Sequence, residues 1–151
     1  MQPYEERLTA PGSWWLIVAL AGVSAGLVLL PLGLLPLVVG ALTVGTLAAV
    51  AVNAYGAVRI RVVNGTLVAG QARVPLSALG EARALDPEEA RAWRTHRADP
   101  RAYMLLRSYI PTAVRVEVTD PEDPTPYLYL STRRPERLVR ALTQARAAGG
   151  R

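Results

Sequence analysis

The side chains able to carry acid–base, nucleophilic or metal chemistry are few and poorly grouped. His96 is the single histidine and cysteine is absent. Any Ser/His/Asp arrangement would therefore need His96, and neither a histidine pair nor a thiolate set is available to a metal. His96 stands between Thr95 and Arg97 at the end of a predicted helix, a solvent-exposed setting. Asp120, Glu122 and Asp123 offer oxygen ligands of the kind Ca²⁺ takes, but Pro121, Pro124 and Pro126 in the same loop favour a stiff hairpin turn. Gly65, Gly70 and Gly80 are isolated turn residues rather than a phosphate-cradling loop. No catalytic, cofactor or metal residues are expected, and the pattern points away from an enzyme.

Arginine is the other chemically marked residue. The chain carries 17 basic and 12 acidic residues for a net charge of +5, and none of the basic ones is lysine. Arg7 is the only basic residue before Arg59, and only Glu5 and Glu6 among the acids precede it. Residues 59–151 thus hold sixteen Arg against ten acids, or +6. Arg133, Arg134 and Arg137 crowd the start of a predicted helix, where backbone amides and the dipole favour anions. With Arg59 and Arg61 they form a candidate site for an anionic lipid headgroup or an acidic partner segment. The same residues equally describe a solvated basic face. The positive charge is interleaved with acids, which speaks against nucleic acid.

The elements that must position these residues are organised by one apolar stretch. No charged residue occurs between Arg7 and Arg59. A single helix over Ser13 to Val58 would be about 68 Å long, over twice a bilayer core of about 30 Å. Pro31 and Pro36 break it, predicting a transmembrane hairpin over 13–57 with helices near 13–31 and 36–57. Trp14, Trp15 and Tyr55 fall where the two helices meet the headgroups, as interface anchors. Arg59, Arg61 and Arg73 follow the second helix while the turn is uncharged. The positive-inside rule then predicts a multi-pass plasma-membrane protein with both termini cytoplasmic. Gly22-x-x-x-Gly26 and Ala41-x-x-x-Gly45-x-x-x-Ala49 are small-residue rows that either close the hairpin or pair two chains.

Residues 1–12 read as a cytoplasmic lead-in, 58–147 as a small cytosolic domain and 148–151 as a flexible tail. Val58, Ile60 and Val62 alternate with Arg59 and Arg61, the period of a half-buried strand, and Asn64-Gly65 signals a hairpin. Strands are expected at Thr66 to Ala69, Gln71 to Leu76, Glu81 to Leu85, Tyr103 to Ile110, Ala113 to Thr119 and Tyr127 to Thr132. On the fifth of these, Val114, Val116 and Val118 point inward, with Arg115 and Glu117 outward. Asp86-Pro87-Glu88-Glu89 starts a short helix, and Leu138, Ala141, Leu142 and Ala145 stripe a closing one. The fold class is a membrane α-helical hairpin plus an α+β domain. Strand order gives the domain the outline of a pleckstrin-homology-like antiparallel barrel closed by a C-terminal helix.

Tyr4-x-Glu6-Arg7-Leu8 with Trp14-Trp15, and Arg115-Val116-Glu117-Val118-Thr119-Asp120-Pro121 through Asp123-Pro124-Thr125-Pro126-Tyr127 to Ser131-Thr132-Arg133-Arg134-Pro135, carry a resemblance. The chain resembles a family of small actinobacterial membrane proteins catalogued as a domain of unknown function. The resemblance implies two membrane helices and a small cytosolic domain, and it lends no catalytic residues. The expectation is a non-enzymatic, membrane-tethered interaction module binding a protein partner near the bilayer. The alternative is an anionic-lipid-binding or lipid-sensing protein. Its partners would be the bilayer, a protein, anionic headgroups and, through the small-residue helix faces, a second copy.

Overall fold

The computed structural model describes residues 4–149. By backbone contacts the chain divides into two units, one comprising the N-terminal residues to Leu8 together with Arg59 onward, the other spanning Thr9–Val58.

The second unit is a helical hairpin. Helix α1 (Ser13–Leu29) runs into a 3₁₀ turn at Leu30–Leu32, and α2 (Leu34–Gly56) returns alongside it. The reversal is tighter than Pro31 and Pro36 suggest. Gly33 completes it after the 3₁₀ turn, at φ +113°, a conformation side chains disfavour. Pro36 lies inside the first turn of α2, where its missing amide has no helical partner to lose. The small-residue rows close the hairpin: a Cβ on Gly22 would stand 3.1 Å from the Ala41 carbonyl oxygen and one on Gly26 3.1 Å from the Ala41 Cβ. Trp14 and Tyr55 stack at the open end, 5.5 Å apart and 6° from parallel. Ser13–Leu32 and Leu34–Gly56 are both long and apolar enough to cross a membrane.

The first unit contains two four-stranded sheets. One has the order β1 (Tyr4–Arg7), β2 (Arg59–Val63), β3 (Thr66–Ala69), β4 (Ala72–Pro75), all antiparallel. Asn64 and Gly65 take φ of 50° and 71° in the β2–β3 turn, the geometry their sequence announces. The lead-in thus forms a strand where its composition offered no strand period. Four residues with three charges carry no alternation of their own, and the β2 edge supplies the partner. The other sheet has the order β5 (Leu79–Leu85), β7 (Ala113–Val118), β8 (Tyr127–Ser131), β6 (Tyr103–Leu105). Helix α3 (Pro87–Trp93) is capped by Asp86, whose Oδ1 accepts from the Glu89 amide at 2.8 Å.

The expected closed barrel does not form. A 3₁₀ turn at Leu76–Ala78 separates β4 from β5, and the two strands belong to different sheets. At the far edge β6 runs parallel to β8, which ends the antiparallel succession. Strand β6 also stops five residues before Ile110. The segment beyond it bonds through other groups: the Arg107 amide donates to Ser131 Oγ at 3.1 Å and the Tyr109 hydroxyl to the Leu8 carbonyl at 2.6 Å.

The second sheet is covered on both faces, so all five β8 residues are buried. Cross-strand register places Leu85, Ala113, Tyr129 and Tyr127 on one face, where they pack with Ala90, Trp93 and Met104. Helix α4 (Pro135–Gly149) buries Leu138, Leu142 and Ala145 and lies against β2, β5 and β7, bridging the two sheets. Of the tail expected at 148–151, Ala148 and Gly149 belong to α4, and residues 150–151 lie outside the described residues.

Candidate functional site

The arginines at the start of α4 meet a carboxylate from the other end of the chain. Strand β1 alternates, with Glu5 and Arg7 exposed and Tyr4 and Glu6 half-buried on the face shared with Ile60 and Val62. From that face Glu6 reaches the residues just before Pro135. Its Oε1 accepts from the Arg133 amide at 2.9 Å, and its Oε2 accepts from the Tyr4 hydroxyl at 2.7 Å and from the Thr132 hydroxyl. Thr132 is fully buried. Its hydroxyl oxygen in turn accepts from the Arg134 amide at 3.1 Å, and its carbonyl accepts from Thr112 Oγ1 at 2.6 Å. Thr132 caps the approach to α4, and Glu6 supplies the negative charge that a helix start favours. Burial, and then the hydrogen bond to Glu6, raise the Tyr4 phenol well above its ordinary range. The anion-friendly position at 132–134 is filled by the chain's own carboxylate.

The five candidate arginines do not converge. Arg59 and Arg61 project from the exposed face of β2, opposite to Ile60, Val62 and Glu6. Arg59 Nη1 is ion-paired with Glu5 at 3.1 Å, both side chains about half exposed, an arrangement contributing on the order of 0–1 kcal/mol. Arg133 is exposed at the start of α4 with its guanidinium 5.7 Å from the Tyr109 ring centre. Arg134 and Arg137 are exposed on the same stretch. The arginines thus form two groups, Arg59 and Arg61 on the exposed face of β2 and the other three around the start of α4, with Glu5 ion-paired to Arg59 and Glu6 accepting from the Arg133 amide. Of the aromatic anchors, Trp14 and Tyr55 stack on each other, and Trp15 is half exposed.

A second cluster escaped sequence reasoning. Arg115 is not turned to solvent; its side chain is 23% exposed, and its guanidinium lies 4.4 Å from the Trp93 ring centre and 5.1 Å from that of Tyr127. Trp93 and Tyr127 meet edge to face at 5.4 Å. Arg115 Nη2 reaches Glu117 Oε1 at 3.2 Å, and the Tyr127 hydroxyl accepts from the Asp99 amide at 2.9 Å. Two aromatic faces and a carboxylate let a charged strand residue lie under α3, each cation–π contact contributing about 0.5–2 kcal/mol. Strict alternation of valines with Arg115 and Glu117 concealed this, because period-two patterning assumes that one face is wet. Trp93 on the short α3 was the available signal that the other face is covered.

The remaining sites are sparse. His96 is exposed, 3.4 Å from Thr95 Oγ1 through Nδ1. In the 120–126 loop, Asp120 accepts from the Glu122 amide and Asp123 from the Thr125 amide, so both carboxylates lock the turn. The Thr125 amide holds Asp123 below the usual carboxylate range. Among the described residues no three His, Cys or acidic side chains are grouped to hold a metal. An open cleft of about 290 Å³ lies between Gly65, Leu76, Ser77 and the end of α4 at Ala145, Arg146 and Gly149. Arg146 is committed there, its Nη1 donating to the Gly80 carbonyl at 2.6 Å.

The contact of Glu6 with Thr132 and Arg133 joins the two stretches that carry the sequence resemblance. A family model described as Protein of unknown function (DUF3093) matches residues 3–142. The chain belongs to that family. The DUF3093 match takes in β1, the hairpin, both sheets and α4 as far as Leu142, so both partners of the Glu6 contact fall within it. No curated protein and no solved structure matches the chain.

Proposed function

We propose that this DUF3093 protein is a two-span plasma-membrane protein whose small α+β domain is a non-enzymatic docking module for a protein partner on the cytoplasmic side. The observation that carries the reading is the surface of the hairpin. Its large apolar side chains point outward on every side: Leu16 is 67% exposed, Val28 75%, Leu42 66% and Leu47 65%. Water-soluble monomers rarely bare contiguous apolar patches of more than a few hundred Å², whereas acyl chains accept such a surface. The pairing of β1 with β2 adds a topological argument. These strands flank the hairpin and are hydrogen-bonded to each other, which supports a chain that leaves and re-enters the bilayer on one side. Arg59, Arg61 and Arg73 favour the cytoplasm as that side.

The contact for the partner is the outer edge of β4. An edge strand presents unpaired backbone groups that an extended segment can extend by one strand, and exposed Arg73 on that strand favours an acidic one. Four of the domain's acids are ion-paired, in Arg59–Glu5, Arg83–Glu89, Arg101–Asp99 and Arg115–Glu117, and Glu6 is hydrogen-bonded to Thr132 and Arg133, which supports a binding rather than a catalytic role. The anionic-headgroup reading has less support, because Glu6 already fills the helix start it would use.

Two measurements test the proposal. After cell lysis and an alkaline carbonate wash, the full chain is expected in the membrane pellet until detergent releases it; recovery in the supernatant ends the two-span reading. Crosslinking in native membranes is expected to join the chain to a stoichiometric protein partner, and Arg73→Glu to weaken that crosslink. Undiminished capture by the variant removes the β4 edge as the contact.

A further inference from the structure

We infer that the turn between α1 and α2 stops at the hydrocarbon–headgroup boundary of the far leaflet and that lipid, not water, is its partner. The protein then presents no surface on the far side of the membrane. The inference rests on the two-span reading and adds the depth and the contact of the hairpin tip.

Three observations carry it. The first is reach. Ser13–Leu32 is 20 residues long, about 30 Å at helical rise, which matches a hydrocarbon core of about 30 Å with nothing left to extend beyond it. The second is side-chain chemistry. Between Ser24 and Thr43 every residue is Ala, Gly, Leu, Val or Pro, and the tip bares its leucines: Leu32 is 70%, Leu34 75% and Leu35 75% accessible. Loops in water are built from Gly, Pro, Asn, Asp and Ser, and a span emerging into water carries aromatic rings at its boundary. Here Trp14, Trp15 and Tyr55 mark the open end of the hairpin, and the tip has no aromatic residue.

The third observation is the backbone. Irregular chain facing lipid has to satisfy its own polar groups. The Gly33 amide donates to the Leu30 carbonyl at 3.0 Å, the Leu37 amide to Gly33 at 3.3 Å and the Leu30 amide to Leu27. Pro31 and Pro36 remove two further donors from the reversal. The amides of Leu34 and Leu35, in the first turn of α2, are left to the surroundings. Two orphan donors suit the ester carbonyls at the base of the headgroups, and this places the tip at that boundary rather than at the bilayer centre.

Because the chain has no cysteine, single-cysteine labelling tests the inference directly. The full chain, purified and reconstituted into phosphatidylcholine vesicles, carries no other protein to cover the tip. Leu32→Cys and, separately, Leu34→Cys are probed with a membrane-impermeant maleimide, with Ser77→Cys on the domain as reference. The reference is expected to react in its outward-facing fraction, and completely once a pore-forming toxin opens the vesicles. Both tip cysteines are expected to stay unreacted in each condition and to react only in SDS. Reaction of either tip cysteine at the rate of the reference, before or after permeabilisation, overturns the inference while leaving the two-span reading standing. A chain that fails to float with the vesicles refutes the two-span reading and the inference with it.

Discussion

Glu6 ties the start of the chain to residues near its end. One carboxylate satisfies the Tyr4 hydroxyl, the Thr132 hydroxyl and the Arg133 amide, and bonds to a charged acceptor contribute about 1.5–3 kcal/mol each. Glu6→Gln replaces one acceptor oxygen with a donor facing other donors. It is expected to lower unfolding stability by about 2 kcal/mol, read as a shift in the denaturant midpoint of the detergent-solubilised chain. Tyr4 gives this contact a pH signature. Its folded-state phenol is raised by burial and by Glu6, so the folded protein holds that proton more tightly than the unfolded chain. The stabilisation is complete below the unfolded value of about 10 and shrinks as pH rises above it. Tyr4→Phe is therefore expected to cost stability at neutral pH yet lose less between about pH 10 and 11 than the parent. Thermal unfolding at stepped pH decides this, and equal slopes would count against the Glu6–Tyr4 contact.

The helices of the hairpin approach closely because glycine permits it. At Gly26 a Cβ meets the Ala41 Cβ at 3.1 Å and the Leu37 carbonyl oxygen at 3.3 Å, both parts of a packed neighbour. Gly26→Leu is expected to part the helices, breaking the Trp14–Tyr55 stack and changing tryptophan emission and gel mobility. Val28→Leu, on the outward-facing surface of α1 at 75% exposure, is expected to change neither. Identical behaviour of the two variants would show that the small-residue row does not set the helix spacing. The row itself was readable from residue spacing, whereas its close packing within the hairpin needed coordinates. Strand β6 makes the converse point: eight residues from Tyr103 have the composition of a strand, but Ser131 and Leu8 draw the later ones into other bonds.

For the molecule as a whole, the hairpin is an insertion between two paired strands. Because β1 precedes it and β2 follows it, a fragment beginning at Arg59 lacks a strand of its first sheet and leaves the donors of Thr132 and Arg133 without Glu6. Residues 59–151 alone are expected to be poorly folded, with fast amide exchange in β2 and around Thr132. A chain in which residues 1–8 are joined to 59–151 through a short Gly-Ser linker is expected to regain protection. Full protection in the shorter fragment would show that β1 is dispensable. The same topology brings both flanks of the hairpin together in one sheet.

Residue type and spacing alone determined the apolar hairpin, the Asn64-Gly65 turn, the Asp86 cap and the stripe of α4, because each is a local pattern read within one element. Tertiary structure decided what distant residues do for one another. It recruited the polar lead-in as β1, ended the barrel in two open sheets, drew Arg115 under Trp93 and set Glu6 against Thr132, 126 positions away. A carboxylate or a guanidinium takes its role from whichever donors or rings the fold brings to it, and no periodicity in the chain records that meeting.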